Sequence, residues 1–240
     1  MNKTKHLDFI MAPISEILID GIKDSSGLSD SISSFPICDY IFQSLFLKMT
    51  GAQEQKMKCI CWDLATDDYE YRYEFLNNKK LGECSRYSEK NTVYLDLIEA
   101  IKKKDKSFGI ESINFEVILE SVRHLILDNA GVVLFCSFKQ QLDAFSSTFD
   151  VLFKKTQLGQ KNSNGSDCLF QSQLAEQYKH IVYNNRNRIA HNTFSYQQNL
   201  PDFELLRAPE FSFDNYFFRY ALITLIDYIF IELYGKYVNI

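Results

Sequence analysis

The stretch YFFRYALITLIDYIFIELYGKYV, residues 216–238, decides what kind of chain this is. Its length approaches the roughly 20 apolar residues that a helix needs to cross a hydrocarbon layer. Arg219, Asp227 and Glu232 punctuate it, however, and ionic side chains within a bilayer are expensive. A helix apolar nearly all round must be covered on most sides. The stretch therefore reads as a buried core helix, or as one packed in a dimer interface. A third reading makes it the docking surface of a purely structural protein. No membrane association is expected.

Working outward, residues 193–215 carry two prolines and read as a long connection. Upstream, CLFQSQLAEQYKHIVYNNRNRIAHN (168–192) reads as a helix with Leu169, Leu174, Tyr178, Ile181 and Val182 on or near one face. QLGQKNSNGSD (157–167) is the clearest loop, with Asn, Gly and Ser clustered. The segments 92–107, 114–131 and 132–156 each read as a helix. The first ends in Lys102, Lys103, Lys104 and Lys106, cations that complement a helix C-terminus. Between Pro36 and Asn77 the pattern predicts one long kinked helix or a tight helix pair. Pro36 suits a first turn, Ile37, Tyr40, Ile41, Leu45 and Met49 fall at helical spacing, and Gly51 interrupts, with Thr50 and Gln53 offering a capping box. Residues 1–35, a short helix and the connector DSSGLSDSISS, read as a peripheral arm, leaving 36–240 as a single helical domain.

Composition agrees with an all-α chain. Of 240 residues only 9 are Gly and 4 Pro, too few for a sandwich built on tight turns. The net charge of −5 speaks against coating nucleic acid through a general basic field, so any such contact must rest on a few placed cations. The six cysteines form no CxxC pair; Cys59 and Cys61 read as core thiols, and the absence of a secretory signal points to a reducing cytoplasm. No His/Cys/Asp/Glu cluster has metal spacing, and no metal or cofactor is expected. His124 beside Arg123 reads as a hydrogen-bonded core residue, His180 as a surface or packing residue, and Asp67–Asp68 as a helix-end acidic pair.

The chemistry concentrates in RNRIAHN, residues 186–192. Its bland reading is a basic helix C-terminus, with Arg186 and Arg188 answering the dipole and His191 capping a free carbonyl. Its chemical reading starts from what an arginine and a histidine do together. The guanidinium binds phosphate oxygens in a fork and stays charged, while the imidazole exchanges a proton near neutrality. On a regular helix Tyr183, Asn187 and His191 share a face within about 80°, whereas Arg186 and His191 lie about 140° apart. Arg186 flanks the shared face, and two copies of the stretch across a two-fold axis ease that separation.

The stretch resembles the R-x4-6-H signature of the HEPN superfamily: Arg186, a polar Asn187, the small Ala190, then His191. The resemblance implies an all-α HEPN-like bundle and a homodimer whose motifs meet in one composite cleft. It also implies a metal-independent endoribonuclease that cleaves RNA by 2′-hydroxyl attack, in a prokaryotic defence or toxin–antitoxin setting with an antitoxin or other regulatory protein as partner. Arg186 and His191 would be the catalytic pair, with Asn187, Arg188 and Tyr183 supporting or binding substrate. The alternative within the same superfamily is a non-catalytic helical module that binds a nucleotide, RNA or a protein partner.

Overall fold

The computed structural model describes residues 6–25, 35–77, 82–130, 136–161, 165–191 and 213–240. They form α1 (Leu7–Met11), α2 (Ser15–Ser25), α3 (Phe35–Asp67), α4 (Tyr69–Asn77), α5 (Tyr87–Lys104), α6 (Phe115–Ala130), α7 (Cys136–Leu152), α8 (Ser172–Tyr178), α9 (Asn184–His191) and α10 (Tyr216–Asn239). The fold is all-α, and among the described residues no strand forms. Two isolated antiparallel bridges, Leu158 with Phe170 and Lys161 with Asp167, pinch the loop ahead of α8. Gly159 in that loop has a left-handed backbone, φ 58°, and a Cβ there would lie 2.3 Å from the ring of Phe115, so glycine is required twice over.

Helix α10 runs through the middle of the bundle. Between Tyr216 and Phe230 every side chain but Arg219 and Tyr228 is buried, with α1, α3, α5, α6 and α7 packed around it. The apolar helix is therefore covered by its own chain over that length, which removes the docking-surface and dimer-interface readings of it there. No described helix is long and apolar enough to cross a membrane. Arg219 pairs with Asp214 at 2.7 Å, and Asn215 caps the helix by accepting from the backbone N–H groups of Phe217 and Phe218.

Helix α3 passes through Gly51 unbroken, and Thr50 donates back to the carbonyl of Leu47 rather than capping a restart. The break falls at Asp68, whose Oδ1 accepts from the N–H groups of Glu70 and Tyr71 and so starts α4. The buried face of α3 agrees with the expected one at Leu45 and Met49 and departs from it at Ile37 and Tyr40. Cys38, Phe42, Leu45, Phe46 and Met49 point inward, while Ile37 and Tyr40 are exposed. The aromatic contacts of Phe42 with Phe138, Tyr216 and Tyr220 set that rotation, together with a hydrogen bond from the Tyr220 hydroxyl to the carbonyl of Phe42.

The expectation of a peripheral arm fails for residues 7–25. Ile10, Ile14, Leu18 and Ile22 are buried in the common core, and His6 hydrogen-bonds Asp63 on α3. The rest of the 1–35 segment lies largely outside the described residues. His124 is likewise not in the core: it is exposed and pairs with Glu120 one turn back. The lysines ending α5 reach other elements, Lys102 to Asp167, Lys103 to Asp68 and Lys104 to the backbone and ring of Tyr237.

One ionic contact pins the centre. Asp227 of α10 is 1% exposed; it receives Lys56 Nζ at 2.6 Å and the N–H of Ile14 at 2.8 Å, while Lys56 also donates to the carbonyl of Ala12. Removing one member strands the other charge, so Lys56→Met is expected to destabilise the fold by about 3–5 kcal/mol. The double change Lys56→Met/Asp227→Leu should recover much of that loss. Urea unfolding of the three proteins measures this, and equal losses for single and double variants would count against the pair.

Candidate functional site

The RNRIAHN stretch begins in a helix whose phase has just been changed. Between α8 and α9 the residues Lys179–Tyr183 form a π turn, in which the N–H of Asn184 donates to the carbonyl of Lys179, five residues back. A turn holding one extra residue rotates everything after it by about 100° relative to α8. Asn185 secures the transition: its buried amide donates to the carbonyls of His180 and Ile181 and to Asp214 at 2.8 Å. Sequence reasoning passes over both features, because periodicity counting assumes a regular turn.

With that phase, Arg186 does not project from a helix end as a solvated cation. It is the third residue of α9, its side chain is 24% exposed, and it lies 3.3 Å from Glu54 Oε2 on α3. Glu54 is itself buried. The other arm of the guanidinium donates to Asn187 Oδ1 at 3.2 Å. Asn187 in turn bonds the Tyr183 phenol, which accepts from Arg86 Nε at 3.3 Å. The Arg86 contact first, and the Asn187 contact second, hold that phenol below the ordinary tyrosine range. A continuous polar chain thus runs from buried Glu54 through Arg186, Asn187 and Tyr183 to Arg86 at the surface. Three of the five predicted site residues lie along it. Arg188 is half-buried nearby. His191 closes α9, and its side chain lies outside the described residues.

Beneath Arg186 sits a cation that the sequence analysis did not single out. Lys90 on α5 is 1% exposed and lies 5.9 Å from the ring centre of Tyr178. Burial pulls its ammonium down to about 8, against the attraction of Glu54, Cys84 and Glu89, and Arg186 adds a repulsion that lowers it further. Tyr178 is buried beside it and donates to the carbonyl of Ser85, and Cys84 is buried with a positive φ of 59°. A signal for Lys90 is present in the sequence: it occupies the helical stripe continued by Tyr94, Leu97 and Ile101, all buried. Glu54 likewise falls on a stripe with Thr50, Met57 and Cys61. A charge inside an apolar stripe marks a buried ionic group.

The electrostatic consequence is a carboxylate opposed by two cations, Arg186 and Lys90. Glu89 also attracts Lys90, and the guanidinium is held in a fixed orientation by Glu54 and Asn187. Such an arrangement suits an anionic oxygen presented from the α9 side. Among the described residues no group of three His, Cys, Asp or Glu side chains is placed to hold a metal ion. No family model, curated protein or solved structure matches the chain.

Two outcomes test this geometry. Arg186→Ala leaves Glu54 buried without its ion-pair partner and should cost about 1–3 kcal/mol; adding Glu54→Gln should recover part of it in a double-mutant cycle. Strict additivity would argue against the contact. Lys90 gives a pH signature. Its folded value of about 8 lies below the roughly 10.4 of an unfolded lysine. Between those two values the unfolded chain binds the extra proton, and stability rises with pH. The gain approaches about 3 kcal/mol at the top of that window. The urea midpoint of wild type should therefore climb between about pH 8 and pH 9.5 relative to that of Lys90→Met; parallel pH profiles would show that Lys90 does not titrate there.

Proposed function

We propose that the protein is a metal-independent endoribonuclease of the HEPN type, with Arg186 and His191 as its catalytic pair. The observation that carries this reading is the fixed guanidinium: Arg186 is oriented by Glu54 and Asn187 on the same short helix that ends in His191. In this reading the His191 imidazole takes the proton of a 2′-hydroxyl, whose oxygen then attacks the adjacent phosphorus. The P–O5′ bond breaks, the 5′-oxygen leaves as a hydroxyl after protonation, and the products are a 2′,3′-cyclic phosphate and a 5′-hydroxyl. Arg186, backed by the charge of Lys90, stabilises the extra negative charge of the pentacoordinate state. Asn187 and Tyr183 hold the guanidinium and the strand, and Arg188 adds a further cation. A second copy of the chain completes the cleft across a two-fold axis, and an antitoxin or other regulatory protein controls access to it.

A second reading has one specific observation in its favour. The Arg186 guanidinium is paired with a buried carboxylate, which is how a structural ion pair is built as well. On that reading the protein binds RNA, a nucleotide or a partner without cleaving it.

His191→Ala separates the two, because Arg186→Ala disturbs a buried pair and so confounds folding with activity. In the presence of EDTA, wild type is expected to convert single-stranded RNA to fragments with 2′,3′-cyclic phosphate ends. His191→Ala should slow this by about 100-fold or more, with stability unchanged within about 0.5 kcal/mol. Binding by wild type without any product selects the non-catalytic module. Cleavage that EDTA stops and His191→Ala leaves intact overturns the nuclease mechanism.

A further inference from the structure

Beside the polar chain lies a cleft of about 460 Å³ lined by Arg86, Tyr87, Ser88, Ser172, Ala175, Glu176, Lys179 and Tyr183. That is within the volume range of small-ligand sites. Its parts are arranged in a way that the proposed catalytic chemistry does not itself require. Tyr183 accepts from Arg86 through Nε alone. The two terminal guanidinium nitrogens, the part that grips phosphate oxygens in pairs, are not used in that contact, and Arg86 lines the cleft. Tyr87 is rigid: it stacks on Phe170, and its hydroxyl donates to the carbonyl of Phe170 and accepts from that residue's N–H. With Ala175 it gives the cleft a fixed apolar side, and Ser88 and Ser172 add hydroxyls. The one carboxylate in the lining, Glu176, is already engaged by Lys179 at 3.3 Å and His180 at 3.0 Å. Glu89, which accepts from the backbone N–H of Arg86, is the other acid close by.

From this the geometry points to a nucleotide subsite: Arg86 and Lys179 hold a backbone phosphate of single-stranded RNA, and the Tyr87 side of the cleft receives the neighbouring base. The inference rests on the nuclease or RNA-binding reading of α9 and extends it to the substrate's flank. Tyr183 is the hinge between the two places, since its phenol touches both Arg86 of the cleft and Asn187 of the motif. Tyr183 lies eight residues before His191, roughly 12 Å along a helix axis, a gap that a short single strand bridges. Strand selection would then come from a base-sized recess next to one phosphate clamp, which fits a chain whose overall charge is −5.

The test uses the full chain carrying His191→Ala, so that bound RNA survives, and a fluorescently labelled, unstructured oligoribonucleotide as the probe. Arg86→Ala and Lys179→Ala are each expected to weaken its binding by about tenfold. Each should also lower the slope of log affinity against log salt by about 0.7, the contribution of one lost single-strand phosphate contact. Both residues lie at the surface, and a matching thermal midpoint confirms that the variants are folded. Unchanged affinity and salt slope in Arg86→Ala overturn the subsite, as does binding of a free nucleoside monophosphate with no oligonucleotide binding. The subsite and the nuclease reading fail separately. If Arg86→Ala weakens binding while wild type makes no product, the subsite stands without the chemistry. If wild type cleaves RNA and Arg86→Ala changes neither Kd nor KM, the chemistry stands without the subsite.

Discussion

A carboxylate in the middle of an almost wholly apolar helix must be answered, and the way Asp227 is answered sets the arrangement of this fold. It takes the ammonium of Lys56 from α3 and the N–H of Ile14 from the start of α2, and Lys56 closes the group on the carbonyl of Ala12. Burial pushes Asp227 up and pulls Lys56 down, and their mutual attraction opposes both shifts. Apolar burial is non-directional; a helix as uniformly apolar as α10 offers little by which neighbours find their register. The polar contacts along it supply that register: Gln53 to the carbonyl of Ile223, Tyr234 to Asp63 and Tyr237 to Asp67. All three, like Lys56, join α10 to α3.

The same constraint reaches the candidate site through one helix. Glu54 and Lys56 are two residues apart, about 200° around α3. Lys56 faces α10 and the N-terminal helices, while Glu54 faces α9 and receives Arg186. Whatever fixes the rotation of α3 against the core therefore fixes the carboxylate that orients the guanidinium. Functional groups carried on a packed helix hold their geometry better than groups on loops. The π turn completes the arrangement from the other side, since its extra residue rotates Arg186 toward α3 and Asn185 into the core.

Much of this was legible in the chain and some was not, for identifiable reasons. The helices were readable because apolar spacing near 3.6 dominates the sequence, and α10 declared itself by composition. In the first turns of α3, Ile37 and Tyr40 satisfy the spacing as well as Cys38 and Phe42 do, and only the aromatic packing around Phe42 decides between them, whereas Leu45 and Met49 are buried as expected. The N-terminal segment was read as an arm because its polar tail masks Ile10, Ile14 and Leu18, and because its anchor, Asp227, lies more than two hundred residues away. In the site, Arg186, Asn187 and Tyr183 were found by type and spacing, whereas Glu54, Lys90 and Asn185 were not. Glu54 and Lys90 show locally only as charges inside apolar stripes, which marks burial but not the distant partner, and no local pattern encodes the irregular turn that Asn185 supports.

The charge balance of the site explains how an acidic chain presents a place for an anion. Around the polar chain and its flanking cleft stand Arg186, Lys90, Arg86 and Lys179 against Glu54, Glu89 and Glu176. The surplus is small, so long-range attraction contributes little and is screened further by salt. Position matters more. Glu54 is buried behind Arg186, and Glu176 is engaged by Lys179 and His180. Arg86 meets the Tyr183 phenol through Nε. Buried Glu54 holds Arg186 in place at short range, and a ligand that can span Arg186 and Arg86 meets both at once. Recognition built this way favours an extended anion over an isolated one, because Arg186 and Lys179 are each already paired with a carboxylate.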